Sequence, residues 1–171
     1  MIMKKLLLLL LIITSLTACD TNDDDSPQEP DPISLLPPVT MTGENTFGFL
    51  LNGEPINITN TSNQFAIYQG GGIQLGAGGI RIVILDPFTE NTEYEFRDIG
   101  SGTARARMNL ENEEGQFCLY NYEDTYSGTV TISFLDRTNY IISGIFEFST
   151  NNQDCENLII TNGRFDLQYI P

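Results

Sequence analysis

The sequence predicts an all-β protein: an antiparallel β-sandwich of about ten short strands, with a partly closed β-barrel as the alternative. Three observations carry that expectation. Apolar and polar residues alternate at period two over much of the chain, turn-forming residues break the alternation about every ten positions, and no stretch carries a helical apolar stripe.

Taken in order, the first strand is Phe47 to Leu51. It ends at Asn52-Gly53, a pair suited to a two-residue hairpin because both residues accept positive φ. Strands follow at 56–59, 65–69, 80–85, 92–97, 103–110, 116–122, 129–135, 140–149, 157–161 and 164–170. Val130, Ile132 and Phe134 are expected on one face and Thr131 and Ser133 on the other. Phe165, Leu167 and Tyr169 likewise alternate with Arg164, Asp166 and Gln168. Asn162-Gly163 reads as a second hairpin turn. Gly70 to Gly79 holds six of the fifteen glycines. With no helix to follow, it lacks the context of a dinucleotide-binding loop and reads as a flexible hairpin or bulge.

The folded part begins after two other segments. Residues 1–18 have a basic start, Lys4 and Lys5, and an apolar run from Leu6 to Ile13 that is too short to span a bilayer, the pattern of a signal peptide. Leu16-Thr17-Ala18-Cys19 then resembles the lipobox of bacterial lipoproteins, which implies acylation of Cys19. Two or three acyl chains, at about 0.8 kcal/mol per buried methylene, give a lasting membrane anchor. Residues 19–40 carry six acids, no base and five of the eight prolines, a composition that favours an extended, disordered tether. Residues 41–171 form the single β domain, large enough for its own core.

Charge narrows the chemistry. Once Lys4 and Lys5 are removed with the signal, no Lys and no His remain, and six arginines face 23 acidic residues, a balance of −17. Catalysis by a His base or a Lys amine is excluded in such a chain, as are P-loops and imidazole-built zinc or copper sites. Nucleic acid is an unsuitable partner for so negative a surface. No cofactor and no metal site is implied; the run Asp23-Asp24-Asp25 lacks the Gly turn and distal Glu of a calcium loop.

Cys118 and Cys155 are expected to pair in an oxidising compartment, the alternative being two free thiols. Glu93 and Glu95 share a strand face at about 7 Å, a separation compatible with glycoside hydrolysis, although Tyr94 and Phe96 on the core side would leave both acids in water. Arg105 and Arg107 also share a face. They suit an anion or a carboxylate-bearing sugar, in competition with cross-strand pairing to an acid. Tyr120 and Tyr122 point with Cys118, and form an outward aromatic platform if Phe117 and Leu119 are core; the competing reading packs that face under a sheet or loop.

Several segments together, Leu36-Pro37-Pro38-Val39-Thr40, Thr46-Phe47-Gly48, Asn52-Gly53, Gly128 to Ile132, Ile142 to Phe148 and Ile160 to Asp166, resemble an uncharacterised lipoprotein family of the Bacteroidota, a domain of unknown function. The resemblance implies an all-β envelope lipoprotein and no known activity. The acids behind Cys19 resemble the export tag of that phylum, which implies the outer membrane and its cell surface, with the periplasmic face as the alternative. The sequence thus reads as a non-catalytic surface binding or assembly module that contacts a glycan or an envelope protein. A carboxylate-dependent glycan hydrolase and a passive structural accessory subunit of an envelope complex are the alternatives.

Overall fold

A computed structural model of the chain describes residues 29–96, 103–111 and 115–171, the side chain of Tyr126 excepted. Lys4, Lys5 and Cys19 lie outside the described residues, with the expected signal peptide, the start of the tether and Arg97. Eleven strands form two antiparallel sheets that do not close into a barrel. They are β1 (Thr46–Leu51), β2 (Glu54–Ile58), β3 (Gln64–Tyr68), β4 (Gly72–Ala77), β5 (Ile80–Leu85), β6 (Thr92–Glu95), β7 (Ala104–Glu111), β8 (Phe117–Tyr120), β9 (Thr125–Asp136), β10 (Ile141–Thr150) and β11 (Ile159–Gln168). The six-stranded sheet runs β2-β1-β11-β10-β9-β6 and the five-stranded sheet β3-β4-β5-β7-β8.

The core lies between the sheets and is filled by the period-two residues. Ile80, Ile82 and Ile84 from β5 and Ala104, Ala106 and Met108 from β7 face Phe47, Phe49, Val130, Ile132, Phe146, Phe148 and Phe165 from the larger sheet. Aromatic rings form its densest part, with the Phe47 and Phe146 centroids 5.3 Å apart. Each such ring contributes about 1.5–3 kcal/mol by leaving water.

Three sequence expectations are corrected. Asn162-Gly163 is not a hairpin: β11 runs straight through it, and one extra residue there shifts the register against both β10 and β1. Asn162 has φ 52°, so the dipeptide forms a β-bulge. Between Ser143 and Gly144 of β10 the register against β9 shifts as well, so Phe134 pairs with Ser143 on the outer face and Leu135 turns toward the core. Gly70 to Gly79 contains a whole strand, β4, between two tight turns whose central glycines, Gly70-Gly71 and Gly78-Gly79, all have positive φ.

Asp166 departs from its expected place in solvent. It points to the outer face of the larger sheet, yet is only 1% exposed. Residues 31–44, the end of the acidic proline-rich stretch and the few residues after it, lie over this face. Asn57 Nδ2 donates to Leu35 O at 2.6 Å, Leu36 is buried, and Pro37 sits where a side chain at residue 48 would be, leaving room only for Gly48. The chain then wraps the Asp166 carboxylate. It accepts from the Thr40 hydroxyl at 2.7 Å, from the backbone N–H groups of Thr42, Gly43 and Glu44 at 3.0, 2.8 and 3.2 Å, and from the Ser143 hydroxyl at 2.6 Å. Burial alone would raise the carboxyl pKa; the bonds from Ser143, Thr40, Gly43 and Thr42 outweigh it and hold the group below its ordinary 3.8.

Cys118 in β8 and Cys155 in the turn before β11 are within disulfide distance, their Cα atoms 5.9 Å apart across a sequence separation of 37 residues.

Replacing Asp166 with Asn should cost about 2–4 kcal/mol near neutral pH, because charge-assisted bonds are lost and buried donors are left facing an amide. The lowered folded-state pKa makes the clamp's contribution complete above the ordinary carboxylate value and lost as pH falls through the folded one. Urea midpoints of wild type and Asp166→Asn should therefore converge as pH falls below the ordinary carboxylate value of 3.8; a constant gap would contradict the clamp. Replacing both Cys118 and Cys155 with Ser should lower stability by roughly 4 kcal/mol in the chain-entropy account, read as a urea midpoint that no longer responds to reductant.

Candidate functional site

The outer face of the five-stranded sheet carries the densest cationic group among the described residues. The inward isoleucines of β5 leave Arg81 and Val83 pointing out, and the inward alanines of β7 do the same for Arg105 and Arg107. Register then sets Arg81 opposite Arg107 and Val83 opposite Arg105. Three of the chain's six arginines therefore stand on one face.

Aromatic rings, not acids, hold these guanidiniums. Arg105 lies 4.3 Å from the centre of the Tyr122 ring and Arg107 5.6 Å from it. Arg81 lies 5.1 Å from the Phe65 ring on β3, reaching across β4 where Gly76 presents no side chain. A Cβ at Gly76 would meet Ile80 O at 2.0 Å, so the backbone approach of β5 reserves that position for glycine. Gln74 accepts from Arg81 Nη1 at 3.3 Å. No Asp or Glu among the described residues forms an ion pair with these three arginines, and Arg105 Nε is buried without a hydrogen-bond partner. Across β5 the register partners of Arg105 and Arg107 are Val83 and Arg81, not acids.

Tyr120 and Tyr122 do not form a platform together. Tyr120 is 1% exposed in the core, its hydroxyl donating to Glu156 O at 2.5 Å; burial, with Glu156 and Asp124 nearby, pushes its pKa above 10.0. Phe117 and Leu119, whose burial the platform required, are 75% and 48% exposed at the edge of the sheet, and for Tyr120 the competing reading, a face packed inside, is the one observed. Tyr122 escapes this parity because β8 ends at Tyr120 and a single 3-10 turn, Tyr122–Asp124, follows. Asn121 N–H donates to Asp124 Oδ2 at 2.7 Å and fixes that turn, which sets the ring beneath Arg105. Sequence reading missed Arg81 as a member of this face, although Ile80, Ile82 and Ile84 around it give its direction.

Glu93 and Glu95 are exposed on the outer face of the larger sheet, with Tyr94 and Phe96 buried behind them. The two acids do not meet across a cleft. Glu93 borders a depression of about 280 Å³ with Glu147, Arg164, Thr129, Thr131, Ile145 and Val39, beside the overlying chain. Glu147, not Glu95, is the acid that the topology brings to it. No group of three His, Cys, Asp or Glu side chains among the described residues is placed to hold a metal ion. No protein-family model, curated protein or solved structure matches this chain.

Core and surface tyrosines should separate cleanly on mutation. Tyr120→Ala should cost about 3–5 kcal/mol, as for a buried aromatic, and Tyr122→Ala only about 1 kcal/mol, the scale of exposed cation–π contacts. Urea unfolding of the two variants checks this; equal losses would mean that Tyr122 is core rather than a support for the arginines.

Proposed function

We propose that the chain is a lipid-anchored, non-catalytic module of the outer membrane that binds a cell-envelope ligand or partner through the outer face of its five-stranded sheet. The observation that carries this reading is the set Arg81, Arg105, Arg107 and Tyr122: in a chain of net charge −15, three cations gather on one face with no acid partner among the described residues. A stability device would pair them with the abundant acids; supported by rings and by no acid among the described residues, they suit an external anion.

The way the chain runs supports this choice of face. Residues 31–44 lie on the outer face of the other sheet, so this described segment leaves the face that carries the arginines uncovered. The lipobox at Leu16 to Cys19 and the acids behind it support the outer membrane as the address. Attachment is covalent because an acidic domain gains nothing from an anionic bilayer surface. Exposure of Glu93 and Glu95 removes the desolvation that a hydrolase acid needs, which favours binding over the hydrolytic reading.

Two measurements test the proposal. Cys19→Ser should abolish incorporation of labelled fatty acid and move the protein from the detergent phase to the aqueous phase on phase separation. The full chain, immobilised, should retain an envelope glycan or protein that Arg105→Gln/Arg107→Gln does not. Equal retention by wild type and variant would sink the assignment of this face.

A further inference from the structure

We propose that this face binds a carboxylated polysaccharide, a polymer carrying uronic-acid-like residues, with Arg81, Arg105 and Arg107 taking successive carboxylates and Phe117 taking the apolar face of a sugar ring. The inference rests on the binding-module reading above and adds the chemical class of the ligand.

Geometry supplies the first argument. Arg81 and Arg107 are register partners on adjacent strands, about 5 Å apart at the backbone, and Arg105 and Arg107 lie two residues apart on one strand, about 7 Å. Such an array suits repeated carboxylates better than one isolated anion. Contact with Tyr122 and Phe65 holds these guanidiniums near ring faces, with Arg81 Nη1 also donating to Gln74, and guanidinium groups suit bidentate bonds to carboxylate. Because the rings have already restricted the long side chains, less rotamer entropy remains to be lost on binding.

Charge density supplies the second. A closely spaced polyphosphate would meet the field of a strongly acidic domain around only three cations. Carboxylates spaced by sugar rings place fewer charges in that field. The same field makes the interaction short-ranged and sensitive to salt.

The apolar edge separates the sugar from an acidic protein segment. Phe117 and Leu119 pair with Glu111 and Asn109 of β7, on the strand that carries Arg105 and Arg107, and both are open to solvent. Phe117 stands opposite Glu111, four residues and about 13 Å along β7 from Arg107, so the phenyl ring and the guanidiniums would be met by different rings of one polymer, whose uronic acids each carry a carboxylate and a rigid apolar C–H face. A run of glutamates offers charges on flexible stems and no such face.

Affinity electrophoresis of the full chain in non-ionic detergent, through gels containing polygalacturonate, its methyl ester, dextran or polyglutamate, tests the inference. Wild type should be retarded by polygalacturonate alone, with retardation lost at high salt. Arg105→Gln/Arg107→Gln should weaken binding about tenfold or more, and Arg81→Gln and Phe117→Ser should each weaken it less. Arg164→Gln, the same charge change on the opposite sheet, should leave it unaltered. An unchanged urea midpoint certifies the fold of each variant, and Arg81→Gln supplies the result if the double variant fails to fold. Equal retardation of Arg164→Gln and the arginine-face variants overturns the assignment. Retardation by polyglutamate but not by polygalacturonate overturns the sugar and leaves the binding module standing. No retardation by any polymer, with an envelope partner still captured through Arg105 and Arg107, likewise overturns the sugar alone; loss of that capture as well removes both.

Discussion

A carboxylate on an outward strand position has to be hydrated or fully bonded, and at Asp166 the chain takes the second course by wrapping its own residues 40–44 around the group. Five donors converge on two oxygens, four from the overlying segment and one from Ser143 on the neighbouring strand. Charge-assisted bonds to a buried carboxylate are about twice as strong as neutral ones, and leaving any one unmade would expose the desolvation cost of the group. The clamp therefore does more than hold a loop. It ties β11 to β10 and to the incoming chain, and it decides that the chain meets the domain on the outer face of the six-stranded sheet. One face of the sandwich is roofed by residues 31–44, with Leu36 buried and Pro37 against Gly48, while on the other face the Tyr122 ring lies against Arg105 and Arg107.

Much of this fold was legible because burial on one side of a strand imposes period two, which β7 and the second half of β10 follow closely. Legibility ended where one local signal has two structural uses. Asn-Gly reports a need for positive φ, and both Asn52 and Asn162 have it, at 50° and 52°. At Asn52-Gly53 the strand turns back; at Asn162-Gly163 it continues with a bulge, because β1 and β10 both pair with β11 on either side of the extra residue. Nothing within the dipeptide distinguishes the two outcomes, which are set by partners far away in sequence. The glycine-rich stretch hid β4 for a related reason: Gly72 and Gly76 are strand residues whose missing side chains admit the backbone of β5.

The inversion of β8 has a different origin. Phe117, Cys118, Leu119 and Tyr120 are all apolar or aromatic, so alternation alone assigns no inner face. The cysteine carried the missing information. Cys118 reaches Cys155, which packs against the core, and this places Cys118 and Tyr120 inside and Phe117 and Leu119 outside. Volume agrees, since Tyr120 fills a buried site and its hydroxyl finds Glu156 O, whereas Phe117 has no polar group to lose by facing water. Arg105 and Arg107 were legible as a same-face pair for the opposite reason, because small alanines alternate with them. Their neighbour Arg81 joins them only through the β5–β7 register, a long-range fact.

That register raises the energetic question on which any functional reading turns. Arg81 and Arg107 are directly opposed like charges, an arrangement that destabilises a sheet by up to about 1 kcal/mol. Among the described residues the outward positions next to them in the ladder are Gln74, Val83 and Asn109, and the first acid on that face of β7 is Glu111, four residues from Arg107. Stacking on Phe65 and Tyr122 offsets the repulsion without neutralising the charge, since a ring quadrupole attracts a cation and leaves its N–H groups free to bond elsewhere. A sheet face selected only for stability would place Glu or Asp beside these arginines, and a face selected only for solubility would separate them. Keeping three cations adjacent and held by rings, with no ion pair to an acid among the described residues, fits neither, and it is the arrangement that the proposed binding of carboxylates from another molecule would use.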